Sequence, residues 1–230
     1  MATVATTTIM TTSTESLARL LQLASPALPV GAYSYSGGLE SAVDAGIVSD
    51  AASAERWIGE VLTHSVARMD APVLFRLCAA WRTGDRMGIE HWNGLFLASR
   101  ETAELRAETV QMGYSLAKLL GDLGLGEINL EEIAYPTAFS FAAERWEIDP
   151  QTALEAYLWS WLENQAMAAV KSVPLGQTEA QRLLLSLGSR VHEFAERAAS
   201  LADDDLCNFA PGLALLSARH ETQYSRLFRS

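Results

Sequence analysis

The side chains that could bind a metal ion are scattered in this 230-residue sequence, whereas a metal site needs several His, Cys or carboxylate ligands at close spacing. Four histidines are present, and no two are three or four residues apart: His64, His91, His192 and His220. The two cysteines, Cys78 and Cys207, form no Cys-x-x-Cys motif. His192 and Glu196 are one helical turn apart, a pair more typical of a solvated helix face. We therefore predict no dedicated metal site.

Two short motifs approach the patterns of nucleotide and nucleophile sites. Lys171-Ser172 ends like a P-loop, but Ala-Ala-Val precedes it in place of the glycines that hold phosphates. We interpret Lys171 as a cation near the carboxyl end of a helix, where it meets the terminal carbonyls. Gly113–Ala117 comes within one residue of a serine-nucleophile elbow, but it lies inside a helical stripe rather than at a strand-to-helix turn. Neither motif supports catalysis.

The carboxylates in the middle of the chain have a structural interpretation. Glu101, Glu104 and Glu108 alternate with Arg100 and Arg106, which is the pattern of a solvated helix face. No acid and base can be paired from their spacing alone. We therefore expect that the protein is not an enzyme.

Composition and charge exclude several classes of partner. The formal net charge is −11, whereas nucleic acids and anionic membranes both require clustered cations. No apolar run approaches the ~18 residues of a membrane-spanning helix. The Thr-rich residues 1–15 contain no Lys or Arg and so lack the features of a targeting signal, and two distant cysteines demand no oxidising compartment. We expect a cytoplasmic protein.

The apolar residues recur with a helical period almost everywhere, without an alternating strand or a fixed repeat. Thr12 and Glu15 are placed as a possible capping box for the first helix. Asp70 is a candidate N-cap for a helix with Pro72 in its first turn. Asp149-Pro150 is the strongest start signal, because an N-cap is followed by proline at the first helical position.

The pattern predicts an all-α fold, a single-domain bundle of roughly eight to ten helices over residues 16–230. Residues 1–15 are expected to form a disordered Thr-rich tail. A turn at Gly84-Asp85 precedes a long helical stretch that reaches Leu120, and another helix is predicted from about Thr137 to Trp146.

Two segments are not explained by packing, and the first is the loop Leu28–Glu40. A proline lies near one end and glycines lie near the other, which leaves two tyrosines and two serines in a defined loop. An ordered connection between two helices is the simpler interpretation. Loops of this kind also carry binding residues, so a binding surface is the alternative.

The second unexplained segment is the end of the chain, His220–Ser230. Chain ends are usually polar and frayed, but here three large apolar side chains alternate with two arginines, a composition favoured in interface anchors. We predict a docking tail formed by Tyr224, Ser225, Arg226, Leu227, Phe228, Arg229 and Ser230. Because so short a segment cannot form a core, we expect the tail to be mobile alone and to fold on docking.

Four segments in the right order carry a resemblance to a known family. The loop Leu28–Glu40 is similar to a signature in which Leu-Pro-x-Gly, aromatic-Ser and Gly-Leu-Glu recur. Ser99–Arg106 is similar to the family's Arg-Glu-rich helix, and Trp159–Gln177 and the tail His220–Ser230 match further segments. On these residues the chain resembles the UreF family of urease accessory proteins. One departure is Ser140, where a glycine is expected.

The resemblance implies a helical scaffold that acts between two other proteins, usually as a homodimer and without a cofactor. One partner is UreD, also called UreH, and the other is UreG, a nickel-binding GTPase. Together they deliver Ni²⁺ to apo-urease, and GTP hydrolysis in UreG gates the transfer. No nucleic acid and no membrane is implied.

The resemblance also implies roles for individual residues. It assigns Tyr224–Ser230 to UreD docking, and it links Lys171 and Gln177 to the face that meets UreG. Four loop residues either touch a partner or brace the fold: Tyr33, Ser34, Tyr35 and Glu40. Two other readings stay open, a generic helical adaptor or GTPase-regulating module unrelated to urease, and an enzyme whose active site assembles from distant helices.

Overall fold

Residues 14–230, which the computed structural model describes, form eleven α-helices and no β-strand. The helices are α1 (Thr14–Leu23), α2 (Leu39–Asp44), α3 (Ala51–Val61), α4 (Ala71–Thr83), α5 (Arg86–Ala98), α6 (Ala103–Asp122), α7 (Tyr135–Arg145), α8 (Pro150–Ser172), α9 (Gln177–Gly188), α10 (Val191–Ser200) and α11 (Pro211–His220). A π-helical segment, Leu62–Asp70, joins α3 and α4 into one rod, and 3₁₀ turns lie at Ala32–Ser34 and Asp203–Asp205. The predicted all-α fold is confirmed.

The amino-terminal predictions are only partly covered by the described residues. Helix α1 begins at Thr14, two residues before the predicted start of the domain. Thr12, one half of the predicted capping box, lies outside the described residues, as does most of the predicted Thr-rich tail. Between residues 14 and 230, no helix is both long and apolar enough to cross a membrane.

Helix α8 lies at the centre of the core. It starts as predicted, because the Asp149 carboxylate accepts the N–H of Thr152 at 3.1 Å and Pro150 occupies the first turn. The helix packs against α2, α4, α9 and α10, and burial of each of its leucines contributes roughly 1.5–3 kcal/mol. Its inward side chains are Leu154, Leu158, Leu162, Ala166 and Ala169. Helix α8 fixes the position of Lys171, which lies in its last turn.

The predicted N-cap at Asp70 is wrong, because the helical rod continues through this residue. Asp70 is buried, and its Oδ2 lies 3.3 Å from Nη2 of Arg100. Pro72 has no N–H to donate to the carbonyl of Arg68, four residues earlier. That carbonyl instead accepts the N–H of Cys207 at 3.2 Å. The substitute donor and the wide π turn let the rod pass the proline.

The predicted long helix up to Leu120 is divided at residues 99–102 into α5 and α6. Thr102 caps α6, since its side-chain oxygen accepts the N–H of Leu105 at 3.2 Å. The hydroxyl of Thr102 also lies 2.7 Å from the hydroxyl of Ser217 in α11. The break therefore turns the start of α6 towards the end of the chain.

Ser140, the one departure from the family pattern, is buried in α7 with both hydrogen-bonding functions used. Its hydroxyl donates to the carbonyl of Thr137 at 3.0 Å and accepts the indole N–H of Trp81 at 3.2 Å. A glycine here would leave the half-buried indole N–H without this acceptor.

Gly113 lets the backbone of α6 pack directly against the backbone at Ile133. A Cβ at this position would overlap the carbonyl oxygen of Ile133, in the segment that leads into α7. The glycine of the apparent nucleophile elbow therefore serves packing between α6 and this segment.

We predict that Gly113→Ala lowers the free energy of unfolding by about 3 kcal/mol or more, because the added methyl group meets backbone that cannot rotate away. Gly94→Ala is the matched control, since Gly94 lies inside α5 and an added Cβ meets nothing within 4 Å. That change should stabilise the protein by ~0.5–1 kcal/mol. Urea unfolding of both variants tests this, and equal effects would contradict it.

A candidate partner-docking surface at the carboxyl-terminal tail

The inner half of the tail is packed on the loop that contains the signature motif. Phe228 is only 6% exposed, and Ser230 is buried. The carbonyl of Ser230 accepts both the N–H of Ser36, at 2.9 Å, and its hydroxyl, at 2.5 Å. The N–H of Arg229 donates to the carbonyl of Ser34 at 2.8 Å. Two of the four segments in the family resemblance therefore form one structural unit.

Glu40 holds the tail from beneath. This buried residue lies in the first turn of α2, and its carboxylate accepts the N–H groups of Leu227, at 2.7 Å, and Phe228, at 3.0 Å. The turn before it requires Gly38, whose φ is +80° and where an added Cβ would lie 2.8 Å from the Leu213 side chain. The carboxylate of Glu40 is therefore engaged within the protein.

His220 connects Glu40 to a second carboxylate that also holds the tail. The ring is fully buried, and its Nε2 lies 3.2 Å from Glu40 and its Nδ1 2.6 Å from Glu104. Glu104 also accepts a hydrogen bond from Arg226 at 2.8 Å. Each ring nitrogen therefore lies within hydrogen-bond distance of a carboxylate. We call these four residues, Glu40, Glu104, His220 and Arg226, the tail clamp.

The interpretation of the α6 carboxylates as a solvated face is wrong for Glu104 and Glu108. Glu104 belongs to the tail clamp, and Glu108 accepts the hydroxyl hydrogen of Ser230 at 2.7 Å. This face of α6 is the surface on which the tail lies. No local spacing could reveal this, because the partners are more than a hundred residues away in the chain.

Glu108 is the most perturbed carboxyl group beneath the tail. Burial raises its pKa to about 7, while the hydrogen bond from Ser230 and the charge of Arg100 oppose the shift and Asp70 adds to it. A partly open cavity of about 270 Å³ is lined by Glu108, Asp70 and Arg100, among other residues, and reaches Tyr33. Most of the lining is apolar, which is consistent with a carboxyl group that is poorly solvated.

Lys171 lies where the loop and the tail meet. Its Nζ is 5.4 Å from the centre of the Phe228 ring and 5.9 Å from that of Tyr33, distances that suit cation–π attraction. It also lies 3.4 Å from the carbonyl oxygen of Tyr33. The structure thus joins three predicted features at one place, whereas Gln177 is exposed at the start of α9, six residues further along the chain.

Large apolar side chains of the same unit point away from the core. Tyr224 is fully exposed, Leu227 is 72% exposed and Tyr33 is 67% exposed. Arg226 and Arg229 add positive charge to this region of an acidic protein. We call Tyr33, Lys171 and Tyr224–Arg229 the docking surface, because exposed aromatic and apolar groups among arginines are typical of interfaces.

The other predicted site residues brace this surface. Tyr35 is buried and donates its hydroxyl hydrogen to Gln111 at 2.6 Å, and its carbonyl accepts a hydrogen bond from Asn164 at 3.1 Å. Burial raises the pKa of the Tyr35 hydroxyl. Ser34 contributes its carbonyl to the tail, and Ser225 is exposed beside Tyr224.

The expectation that the tail can fold only on docking is wrong for its inner half. That expectation assumed that the three large apolar side chains of the tail would need a core of their own. In the structure they need none, because Phe228 completes the existing core and Glu40 satisfies two of the tail's N–H groups. Sequence reasoning also missed His220, Glu104 and Glu108, whose roles come from contacts between distant elements.

We predict that Glu108 makes stability pH-dependent near neutrality. Because its folded pKa of about 7 exceeds the ordinary value of 4.5 for a glutamate carboxyl group, the folded state binds more protons between these values. The free energy of unfolding should therefore fall as pH rises through this window, by about 1–3 kcal/mol. Urea unfolding between pH 4.5 and 8 measures this.

Glu108→Gln should weaken this pH dependence, because the amide oxygen can still accept from Ser230 but carries no charge. Asp122→Asn is the control, since Asp122 is exposed at the end of the same helix and should leave the dependence unchanged. Identical pH profiles for Glu108→Gln and the unsubstituted protein would contradict the assignment.

Comparison with known proteins shows the family of this chain. A family model described as UreF matches residues 48–188. The urease accessory protein UreF of Azoarcus sp. strain BH72 is 58% identical over 223 residues, which cover 93% of this chain and 95% of the relative. Those of Dechloromonas aromatica strain RCB and Janthinobacterium sp. strain Marseille are 54% and 51% identical, over 93% and 94% of this chain and 97% and 99% of the relatives. The chain belongs to the UreF family of urease accessory proteins.

Proposed function

We propose that this protein is a non-catalytic adaptor that bridges UreD and UreG and helps GTP-dependent delivery of nickel into apo-urease. The observation that carries the proposal is the preformed tail, which presents Tyr224 and Leu227 to solvent while Phe228 and Ser230 hold it to the core. An anchor ordered before binding loses less conformational entropy when the partner arrives. Nickel is the cargo of this assembly.

The UreD site in this proposal is the outer side of the tail. Tyr224 and Leu227 would bury in the partner as apolar anchors, and Arg226 and Arg229 would pair with its carboxylates. Arg226 is already oriented by Glu104 at 2.8 Å, and Arg229 by Gln111 at 3.3 Å. Two oriented guanidinium groups favour a partner surface with an acidic rim around an apolar pocket.

The UreG face in this proposal is built around Lys171 and Gln177. Lys171 contacts the loop through Tyr33 and the tail through Phe228, so a partner on the tail and a partner at Lys171 share one structural unit. A protein without chemistry of its own can control a GTPase by stabilising one state of its switch loops. We further propose that the adaptor works as a homodimer, in the cytoplasm and without a cofactor.

A generic helical adaptor or GTPase regulator is the competing reading. It would use the same exposed anchors for a different partner, and it predicts stable binding with no effect on urease. Deletion of the gene in cells that carry the cognate urease operon separates the two readings. Under our proposal, urease activity is lost while apo-urease is still made, and the restored gene recovers it.

Leu227→Asp in the restored gene should reduce urease activity roughly tenfold or more, the size expected when a central anchor is lost. The fold should persist, because Leu227 is exposed and its N–H can still bond to Glu40. Met87→Asp is the control, since it places the same charge on an exposed apolar residue of α5. Co-purification with UreD and urea hydrolysis are measured together.

Full activity of Leu227→Asp, or an equal loss in Met87→Asp, would contradict the assignment of the tail as the docking element. Thermal unfolding of each variant checks that both proteins are folded. If Leu227→Asp lost urease activity but still bound UreD, Leu227 would serve to bind a different partner.

A further inference from the structure

The segment between α6 and α7, residues 126–133, belongs to no helix or strand and has almost no hydrogen-bond partners. Among the described residues from Gly126 to Ile133, the one backbone group that is hydrogen-bonded is the carbonyl of Glu132, which accepts from the Asn93 side chain at 2.9 Å. Extended backbone with unpaired N–H and C=O groups resembles the edge of a β-sheet and can pair with a further strand.

The side chains of this segment alternate between two faces, as they do in a strand. Ile128 and Leu130 are half-buried against the core, whereas Glu127, Asn129 and Glu131 are exposed. Side chains that alternate in this way leave the backbone groups pointing sideways, along the protein surface. The unpaired N–H and C=O groups are therefore accessible from the side.

The segment is held firmly at its carboxyl-terminal end. Glu132 forms a bidentate ion pair with Arg106 of α6, and Ile133 packs on Gly113 so closely that no Cβ would fit. The N–H of Ala134 donates to the Asn93 side chain at 3.0 Å. An edge held in this way loses little entropy when another strand pairs with it.

A shallow apolar groove runs beside the segment on the outer side of α6. One wall consists of α6 side chains spaced by one helical turn, and the other consists of Ile128 and Leu130. Tyr114, at the far end, is exposed and could cover an inserted side chain. The α6 wall is formed by Ala103, Ala107, Val110 and Tyr114. The groove can take apolar side chains that point inward from an added strand.

The charges on the segment select a basic occupant. Glu127 and Glu131 are exposed on its outer face. The nearest arginine on the groove, Arg106, is already engaged by Glu132. Lys or Arg side chains that point outward from an added strand would lie beside Glu127 and Glu131, where opposite charges across a strand pair are stabilising.

We propose that residues 127–131 are an acceptor edge to which an extended basic segment of a partner protein adds as a β-strand. Its backbone pairs with the free N–H and C=O groups, its inward apolar side chains fill the groove beside Val110 and Tyr114, and its outward Lys or Arg side chains face Glu127 and Glu131. Main-chain pairing supplies affinity in this mode of recognition, and the alternating side chains supply specificity. The inference depends neither on the tail nor on the proposed function.

The test uses the full chain and a soluble peptide of about six residues that alternates Lys and Val. Solvent exchange of backbone amides is followed by NMR with and without the peptide. Because a strand pairs along one side only, the peptide should slow exchange at every second amide between residues 127 and 131. Uniform protection, or none at saturating peptide, would overturn the proposal.

Glu127→Lys combined with Glu131→Lys tests the charge argument without touching the core, since both side chains are exposed. The double variant should bind the Lys-Val peptide roughly tenfold more weakly and should prefer a peptide that alternates Glu and Val. Equal affinities of the double variant for the two peptides would overturn the proposal that the occupant is basic. If the amides of residues 127–131 became protected as the protein concentration rose, in the absence of peptide, the occupant would be a second copy of this chain. That result would also overturn the proposal.

Discussion

The carboxylate of Glu40 is the constraint on which the arrangement of the docking surface depends. A buried carboxylate is costly unless hydrogen-bond donors surround it. Here the donors are the N–H groups of Leu227 and Phe228, and the ring of His220 lies 3.2 Å from the same carboxylate. The chain must return to α2 after α11 to provide them, so the need to satisfy one buried anion sets the path of the tail.

The same constraint separates buried from exposed side chains in the tail. Phe228 and Ser230 are buried, whereas Tyr224 and Leu227 are exposed. The adjacent N–H groups of Leu227 and Phe228 both bond to Glu40, while the Leu227 side chain is exposed and that of Phe228 is buried. Lys171 lies over the Phe228 ring, so the position of its ammonium group depends on how the tail is packed. This contact links the two partner faces that we propose.

The sequence predicted those parts of the structure that depend on local patterns. Asp149-Pro150 started α8 as expected, because an N-cap and a first-turn proline act within one turn of helix. The roles of Glu104 and Glu108 were missed, because spacing along α6 cannot show which carboxylates will be covered by residues more than a hundred positions away. The tail was predicted to be an interface from its composition. Its packed inner half was not predicted, since the acceptor in α2 lies outside the segment.

Amide hydrogen exchange at Leu227 and Phe228 in the isolated protein tests the role of Glu40 most directly. We expect both amides to be protected in the unsubstituted protein and to lose that protection in Glu40→Ala, while amides in the centre of α8 exchange as slowly as before. Loss of protection at these two amides, with unchanged exchange in α8, would show that the Glu40 carboxylate holds the tail. Unprotected amides in the unsubstituted protein, or equal protection after Glu40→Ala, would contradict this account.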